Sequence, residues 1–586
     1  MTPSASPSSS TPSASTRIVV VGGVAGGMSA AARARRLDEH ASIVVLERGA
    51  YVSFANCGLP YHLAGEIGRE ESLLVQTPQS LAEALALDVR TGSTVTAIDR
   101  DARTVHVRTA TSEYDLPYDS LLLAPGAVAV RPPIDGLDDP AVHALRTIDD
   151  VQRLRGTVDH VLASRPEGEA RAVVVGAGFI GLEAVEALVT RGLSVDVVEL
   201  ADHVLPPLDA ELATLVSDEL VHHGVRLHVG VSATQVSDAP GASVVVTLSD
   251  GSQLPADLVL VNVGVRPESS LARDAGLDLG PTGAIRVDAD HRTSDPHVWA
   301  VGDAIEVRQA VTGAVGPVPL AGPANRQGRR AADSMLGHRT TPQADVLGTA
   351  IVRVFRLTAA MTGASQRVLD RAGIEHEVVR VHPGHHAGYY PGAQQVHIVA
   401  SFAPDGRLLG AQAVGRAGVD KRMDVLATAL RAGMTADDLA ELELSYAPPF
   451  GSAKDPVNMV GFVAQNALDG TAPQWHPDEL DEARRDTLVL DVRTHGEFSR
   501  GHLPGAMHVP HIQVRDHLEK IRTAAAGRPI SVHCQSGVRS YLATRMLIGA
   551  GMDARNLSGG WLSLVAAHPE LRTSAVPTQP KEPATV

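Results

Sequence analysis

Cysteine is the residue that this chain has least of: 586 residues contain only Cys57 and Cys534. Two cysteines are too few for the disulfide framework of a small secreted domain. A small buried core residue is the ordinary alternative for either one. Both, however, lie in polar loops that contain glycine, within residues 53–60 and 533–540. We therefore interpret both as reactive thiols and expect chemistry that moves sulfur and electrons.

Aromatic residues and positive charge are also scarce. Aromatics make up 3% of the chain, whereas there are 54 glycines, a composition that favours α/β layers joined by tight turns. The formal net charge of −16 argues against nucleic acid or an anionic membrane as the main partner. A chain of this length is expected to contain several domains, because single hydrophobic cores stop growing at roughly 250–300 residues.

Long apolar runs and targeting signals are missing as well. No uninterrupted apolar stretch approaches the roughly 20 residues that cross a membrane. Residues 1–16 are rich in Ser, Thr, Pro and Ala and lack the apolar core of a secretory signal, so we predict a disordered tail there. These absences, together with the scarcity of cysteine, favour a cytoplasmic protein.

A nucleotide-binding pattern follows the tail. A strand is predicted over 17–21, a helix over 28–37 and a strand over 42–46 that ends at Glu47. Glycines let the backbone approach a pyrophosphate, the helix N-terminus stabilises its charge, and Glu47 is expected to hold a ribose hydroxyl pair. Val24 occupies the third position of the turn, where this motif normally has glycine. The turn consists of Gly22, Gly23, Val24, Ala25, Gly26 and Gly27.

The same unit recurs about 150 residues later. A strand over 172–175 precedes a glycine turn, a helix runs to residue 189, and a strand over 194–198 is followed by Glu199. Gly176, Gly178 and Gly181 satisfy the G-x-G-x-x-G pattern completely. Because one glycine motif is weak evidence, the recurrence of the whole unit is what predicts two dinucleotide sites.

A third segment, residues 293–304, is a strand that ends in Gly302 and Asp303, where Asp303 is expected beneath a ribityl chain. The order of first fold, second fold and return to the first resembles the FAD-dependent pyridine nucleotide–disulfide oxidoreductases over roughly residues 17–465. The resemblance implies FAD in the first fold and NADH or NADPH in the second. Residues 121–127 and 261–264, the latter ending at Gly264, resemble the crossings between these domains.

The loop around Cys57 resembles the single-cysteine branch of that family. Members with a C-x4-C pair have a second cysteine where this chain has His62. The branch contains coenzyme A–disulfide reductases, with NADH oxidases and peroxidases as relatives. By this resemblance Ser53 and Asn56 lie near coenzyme A and the reactive sulfur, and Arg36 faces the coenzyme A phosphates. A thiolate beside a flavin is the species that these enzymes need.

Two later segments resemble parts of the family's dimerisation domain, residues 385–391 and 445–456. In the family, tyrosines from these segments reach the partner subunit's cysteine. Tyr446 and one of the adjacent Tyr389 and Tyr390 are expected to donate hydrogen bonds to the departing sulfur, and the sequence does not choose between the two. We predict no metal site, because the nearby histidines match no helical ligand spacing.

The C-terminal hundred residues resemble a rhodanese domain. A strand over 529–533 delivers Cys534 into a loop before a helix. Successive backbone N–H groups at a helix N-terminus, together with Arg539, stabilise a thiolate. Four residues separate Cys534 from Arg539, one fewer than in the related phosphatase loops. The shorter loop implies a sulfur cargo, carried as a persulfide on Cys534.

The expected fold class is α/β, with two Rossmann-like domains for FAD and NAD(P)H, an α+β dimerisation domain and an α/β rhodanese domain. The expected boundaries are 1–16 for the first tail, 17–150 and 266–340 for the FAD domain, 151–265 for the NAD(P)H domain, 341–469 for the dimerisation domain, 474–572 for the rhodanese domain and 573–586 for the last tail.

The leading hypothesis is an FAD-dependent NAD(P)H reductase of coenzyme A disulfide, coenzyme A persulfide or polysulfide, with a module that carries sulfane sulfur. It implies a homodimer, a small-molecule substrate and a sulfur-donor protein as partners. Two alternatives stay open. In the first alternative, the chain is an NADH oxidase or peroxidase that cycles a cysteine sulfenic acid. In the second, it is a sulfur-relay or redox-sensing protein whose flavin is regulatory.

Overall fold

A computed structural model describes residues 15–239 and 241–574. The predicted tail 1–16 lies outside the described residues except for its last two positions, as does the predicted tail 573–586 beyond residue 574. The chain divides into two compact units. One unit contains the residues up to Glu167 and Asp257–Val346, and the other contains Gly168–Ala256 and the chain from Leu347 onward.

The first unit is built on a five-stranded parallel sheet. Runs of Val, Ile and Leu form its strands because a parallel sheet is buried on both faces; Val20, for example, pairs with Val45 on one side and Leu122 on the other. The helix Ala25–Leu37 packs against it through Met28 and a stripe of buried alanines. The strands, in order across the sheet, are Val298–Ala300, Ser120–Leu123, Arg17–Val21, Ser42–Leu46 and Asp88–Arg90.

The first unit also contains a three-stranded antiparallel sheet, several short strand pairs and further helices. The antiparallel sheet consists of Thr94–Asp99, Thr104–Arg108 and Glu113–Pro117. The paired strands are Ala127–Ala129 with Val265–Pro267, Val142–His143 with Leu258–Val261, and Val307–Arg308 with Val315–Gly316. The α-helices are Ala25–Leu37, Leu59–Ala64, Pro78–Leu85, Ile148–Ser164, Ser270–Asp274 and Ala321–Met335.

The second unit opens with another strand–helix–strand arrangement. Parallel strands Arg171–Val175, Ser194–Glu199 and Arg226–Val229 pair in that order. The helices Phe179–Thr190 and Ala210–His222 connect them. An antiparallel sheet of Ala233–Asp238, Val244–Leu248 and Gln253–Ala256 follows.

Two five-stranded sheets make up the rest of the second unit. The antiparallel one has the order Ala350–Val354, Leu357–Gly363, Leu408–Gly415, Val396–Phe402 and Glu377–Val381. The parallel one has the order Gln474–Trp475, Ala554–Leu557, Ile530–His533, Leu488–Asp491 and Met507–His508. The accompanying α-helices are Gln366–Ala372, Val419–Ala432, Ala436–Ala440, Pro456–Leu468, Leu480–Asp486, His495–Ser499, Leu518–Ala525, Val538–Gly549 and Gly560–Ala567.

These sheets confirm the predicted α/β class. The module that was predicted as α+β contains the antiparallel sheet, and the C-terminal α/β module contains the parallel one. The first helix begins at Ala25 rather than at the predicted Met28, because small residues continue the helical backbone directly from the glycine turn. The helix Ile148–Ser164 belongs to the first unit. Within residues 15–239 and 241–574, no helix combines the length and apolar character needed to cross a membrane.

Two helical glycines give a matched test of the turn geometry. A Cβ at Gly181 would lie 2.1 Å from the carbonyl oxygen of Gly176, whereas a Cβ at Gly156 meets nothing within 4 Å. We expect Gly181→Ala to destabilise the fold by about 1–3 kcal/mol and Gly156→Ala to stabilise it by about 0.5–1 kcal/mol. Thermal unfolding of both variants checks this; an unchanged midpoint for Gly181→Ala contradicts the close approach.

Candidate functional site

The first glycine turn is held by the carboxylate of Glu47. Its two oxygens accept hydrogen bonds from the backbone N–H groups of Gly23 at 2.8 Å and Gly49 at 2.7 Å. Gly22 has φ +104°, and a Cβ there would lie 2.1 Å from the carbonyl oxygen of Ala124. Val24 precedes the helix with φ −114°, a value open to any residue. Val24 therefore does not have the positive φ that favours glycine.

The strand end at Gly302 carries a half-buried acid. The backbone N–H of Gly302 donates to Gln327 Oε1 at 2.8 Å. Asp303 Oδ2 lies 3.6 Å from Arg146 Nη2. Burial raises the pKa of the Asp303 carboxyl, and Arg146 partly opposes that shift. Sequence reasoning missed Arg146, because more than 150 residues separate it from Asp303 and no local pattern marks it.

Cys57 lies in a short 3₁₀ helix, Asn56–Gly58, and is exposed. Four residues earlier, Ser53 has φ +49°, a strained value that typically costs about 1–3 kcal/mol for a non-glycine residue and concentrates at functional sites. The backbone N–H of Ser53 donates to the carbonyl of Gly23 at 2.8 Å. The Asn56 amide donates to the carbonyl of Arg146 at 3.3 Å. The structure thus ties the Cys57 loop to both the glycine turn and Arg146.

The position of a second family cysteine is filled by a buried histidine. His62 Nε2 lies 2.6 Å from Arg155 Nη1, and His62 Nδ1 lies 2.6 Å from the carbonyl of Ile67. Since arginine only donates, Nε2 accepts and Nδ1 donates to the carbonyl. His62 is therefore a structural clamp on the short helix after Cys57.

The predicted phosphate ligand Arg36 is exposed in the last turn of the helix Ala25–Leu37.

The second glycine turn is held by a strand-end carboxylate in the same way as the first. Glu199 accepts hydrogen bonds from the backbone N–H groups of Ala177 at 2.7 Å and Ala201 at 2.9 Å. Gly178 is the residue before the helix Phe179–Thr190, and a Cβ there would meet nothing within 4 Å. The turn therefore leaves open space at the helix N-terminus, as a dinucleotide pyrophosphate requires. Leu200, beside Glu199, is 73% exposed. The crossing glycine Gly264 has φ +109°.

Two tyrosines of the antiparallel module meet. Tyr389 OH lies 3.0 Å from Tyr446 OH, and this contact raises the pKa of the Tyr389 hydroxyl. Tyr390 instead packs edge-on against His386, with 5.5 Å between ring centroids. The structure thus brings Tyr389, and not Tyr390, to Tyr446. Both loops are exposed at their tips.

A buried ion pair fixes the loops that carry these tyrosines. Arg422 donates to both carboxylate oxygens of Asp455, at 3.2 and 2.7 Å, and to the carbonyl of His385 at 2.7 Å. The backbone N–H of Ala387 donates to the carbonyl of Gly451 at 2.9 Å. Across the part of the chain that the structure describes, no three His, Cys, Asp or Glu side chains converge as a metal site would require.

Cys534 follows the strand Ile530–His533 and is completely buried, at 0% exposure, in the core of the parallel module. Its Sγ accepts a hydrogen bond from Ser540 Oγ at 3.2 Å, and its carbonyl accepts one from Trp561 N at 2.7 Å. A Cβ at Gly560 would lie 2.7 Å from that carbonyl. The sequence did not reveal this burial, because it results from the distant Gly559–Trp561 turn closing over the loop.

Arg539 makes its principal contact with a carboxylate. Its Nη1 and Nη2 donate to the two oxygens of Glu497 at 2.8 and 2.6 Å. These bonds are the main cause of the raised pKa of Arg539, to which Cys534 adds a smaller contribution. Arg539 also lowers the pKa of Glu497 to about 2. Arg539 is therefore shared between Glu497 and Cys534, and Glu497 is a site residue that the sequence did not single out.

A second arginine lies beside the same loop. Arg493 donates to both oxygens of Asp491, with its shortest contact at 2.7 Å, and its guanidinium stacks on Trp561 at 4.3 Å. Burial lowers the pKa of the neighbouring His533 to about 4. An open cleft of about 330 Å³ adjoins these groups. The cleft is lined by Arg493, Glu497, Arg500, Gly501, Gln535 and Trp561.

Three family descriptions match this chain. "Pyridine nucleotide-disulphide oxidoreductase" matches residues 16–319, its dimerisation domain matches 349–456, and "Rhodanese-like domain" matches 473–567. The coenzyme A disulfide reductase of Staphylococcus haemolyticus is 34% identical over 453 residues, 77% of this chain and 99% of that protein.

Two solved structures are similar over nearly the whole chain. Reduced Bacillus anthracis CoADR-RHD is 43% identical, with a TM-score of 0.91 over 95% of this chain and 99% of that one. A NAD-dependent persulfide reductase from A. fulgidus is 37% identical, with a TM-score of 0.87 over 94% and 100%. These matches confirm both predicted resemblances. The chain belongs to the pyridine nucleotide-disulphide oxidoreductase family and carries a C-terminal rhodanese-like domain.

Proposed function

We propose that this chain reduces coenzyme A disulfide, coenzyme A persulfide or polysulfide at Cys57, and that Cys534 carries sulfane sulfur to that reaction. The observation that carries the proposal is that the two cysteine loops have different surroundings. Cys57 is exposed beside the first nucleotide turn, whereas Cys534 is buried beside its own arginine. The coenzyme A disulfide and persulfide reductases among the relatives support this substrate class.

FAD and NAD(H) are the cofactors of this family. The glycine contacts at Gly22 and the open space at Gly178 fit dinucleotide pyrophosphates. We propose that Glu47 and Asp303 hold the flavin nucleotide and that Glu199 holds the nicotinamide nucleotide. When bound, these cofactors supply the electron pair that the sulfur chemistry consumes.

At Cys57, the thiolate attacks one sulfur of coenzyme A disulfide. A bond forms between the Cys57 sulfur and one coenzyme A sulfur, the substrate S–S bond breaks, and one coenzyme A thiolate leaves. Two electrons then cleave the mixed disulfide, which releases the second coenzyme A thiol and restores the Cys57 thiolate. With coenzyme A persulfide, attack on the inner sulfur releases hydrogen sulfide in place of the first thiol.

We assign the proton donor for the leaving thiolate to the tyrosine pair. Tyr389 and Tyr446 share a hydrogen bond and are exposed, so together they offer one hydroxyl proton to an external group. This role requires a homodimer in which they face the partner's reactive cysteine, as the dimerisation-domain match supports. Ser53, Asn56 and Arg36 are proposed coenzyme A contacts.

At Cys534, a persulfide forms when its thiolate takes the outer sulfur of a donor. The Cys534 persulfide then passes that sulfur to a coenzyme A thiol, which regenerates the thiolate and makes the persulfide substrate of Cys57. A sulfur-donor protein is a proposed partner of this step. Because both thiols must stay reduced to act, we propose a cytoplasmic location. The rhodanese-like domain has no role in an NADH oxidase or peroxidase, which favours the sulfur substrate.

Glu199 predicts the nicotinamide preference. As the acid that ends the second strand of this nucleotide fold, Glu199 is proposed to bind the ribose hydroxyls and to repel a 2′-phosphate, while the adjacent Leu200 supplies no cation. We expect kcat/KM for NADH to be at least as high as for NADPH. The double variant Glu199→Ser with Leu200→Arg should shift the ratio toward NADPH by about tenfold or more, roughly 1.4 kcal/mol. Leu200→Gln is the control, and a wild-type preference for NADPH refutes the assignment.

Cys57→Ser tests the reductase assignment. We expect NADH-dependent reduction of coenzyme A disulfide to fall by about a thousandfold or more, because serine is not nucleophilic without a base. Flavin content and thermal midpoint should stay at wild-type values. Cys534→Ser is the matched control and should retain reduction of coenzyme A disulfide. Retention of most turnover by Cys57→Ser would remove Cys57 from the mechanism.

A further inference from the structure

The cleft beside Cys534 indicates which donor the carrier site accepts. We propose that Glu497 makes this site select organic persulfides, whose charged groups lie far from the transferred sulfur, and exclude thiosulfate. The proposal rests on the proposed role of Cys534 as a sulfur carrier. It concerns the choice of donor, which the reductase reaction at Cys57 does not determine.

Two arginines in and beside the cleft form ion pairs with carboxylates of the chain. Arg493 binds both oxygens of Asp491 and is 2% exposed in its side chain. Arg539 binds both oxygens of Glu497 at 2.8 and 2.6 Å. Arg500 is exposed and forms no ion pair with any residue that the structure describes. The interior of the cleft is therefore close to neutral, and its uncommitted cation lies at the rim.

The buried histidine that precedes Cys534 does not change this balance. His533 is fully buried, and burial lowers its pKa to about 4, so it adds no positive charge near neutral pH. His508 Nε2 lies 2.9 Å from the carbonyl of Arg493. The cation of Arg539 interacts with Cys534, and Glu497 binds both of its terminal nitrogens.

Thiosulfate and an organic persulfide place different charges at this point. The sulfonate of thiosulfate is bonded directly to the transferred sulfur, and the whole ion is a dianion near neutral pH. The sulfonate must therefore enter beside Arg539, where it meets the Glu497 carboxylate. The two negative charges repel each other. Binding a partly desolvated anion with no cation beside it is also unfavourable in free energy. A persulfide brings one negative charge at its terminal sulfur, an apolar stem that fits against Trp561, and remote acidic groups that can reach Arg500.

The two transfers balance in the same way. With a persulfide, the Cys534 thiolate attacks the outer sulfur, the donor S–S bond breaks, and the donor leaves as its thiolate. With thiosulfate, the same attack breaks the S–S bond and sulfite leaves with the electron pair. Both reactions produce the Cys534 persulfide, so the difference between them lies in how each donor is bound and not in the chemistry at sulfur.

Glu497 also caps a helix, which decides how it is best altered. Its Oε2 accepts hydrogen bonds from Thr494 N at 2.9 Å and Thr494 Oγ1 at 2.7 Å, in a capping box at the start of the helix His495–Ser499. Glutamine serves equally in a capping box. Glu497→Gln therefore removes the charge and keeps the cap. Glu497→Asp keeps the charge, and Glu479→Gln, which alters a partner of Arg555 at 3.2 Å in the same module, is the control.

The experiment uses the full-length holoenzyme and measures transfer of sulfur to cyanide from thiosulfate and from coenzyme A persulfide. We expect Glu497→Gln to raise kcat/KM for thiosulfate tenfold or more, mainly through a lower KM, and to strengthen inhibition by sulfate. Use of coenzyme A persulfide should change less than about twofold, since its charged groups lie away from Arg539. Glu497→Asp and Glu479→Gln should keep the wild-type ratio of the two donors.

Three results would overturn the proposal, and they separate it from the proposed function. An unchanged donor ratio in Glu497→Gln removes Glu497 as the selector but leaves Cys534 a carrier. Loss of both transfers in a variant with a wild-type thermal midpoint makes Glu497 a positioning residue for the loop. Absence of transfer from either donor in the wild type, with coenzyme A disulfide reduction intact, contradicts the carrier role itself.

Discussion

The two nucleotide-binding glycine turns and the Cys534 loop depend on close backbone approaches that leave no room for a Cβ atom. A Cβ at Gly27 would lie 1.9 Å from the carbonyl oxygen of Gly22, and one at Gly181 would lie 2.1 Å from that of Gly176. In the rhodanese-like domain a Cβ at Gly560 would lie 2.6 Å from Gly537 N. In each case a turn at the end of a parallel strand closes against another backbone. Each of these turns precedes a helix, and the backbone dipoles of a helix N-terminus stabilise negative charge.

The arginines near the tyrosine loops and the Cys534 loop form ion pairs with carboxylates of the same chain. Arg422 pairs with Asp455, Arg493 with Asp491 and Arg539 with Glu497. A buried unpaired guanidinium would be costly, and breaking such a pair typically costs about 3–5 kcal/mol. The first two pairs hold loops in position. The third lies beside a nucleophile, so it also sets which anions can approach.

The local patterns of the chain were enough to predict most of the fold, because glycine spacing and strand-end acids act within about thirty residues of each other. Glu47 and Glu199 occupy equivalent places, each bound by two backbone N–H groups. Contacts between distant segments could not be predicted in this way. Arg146 with Asp303, Tyr389 with Tyr446 and the closure of the Gly559–Trp561 turn over Cys534 depend on tertiary packing, and no single segment contains their signal.

The central claim is that sulfur enters at Cys534 and electrons enter at Cys57. It is tested most directly by loading Cys534 with persulfide, adding NADH and coenzyme A, and following the mass of the Cys534 peptide together with released sulfide. In wild-type enzyme the extra sulfur should leave Cys534 and appear as hydrogen sulfide. In Cys57→Ser the account predicts that NADH releases no sulfide, because coenzyme A persulfide forms but is not reduced. NADH-dependent sulfide release from Cys57→Ser would contradict the account.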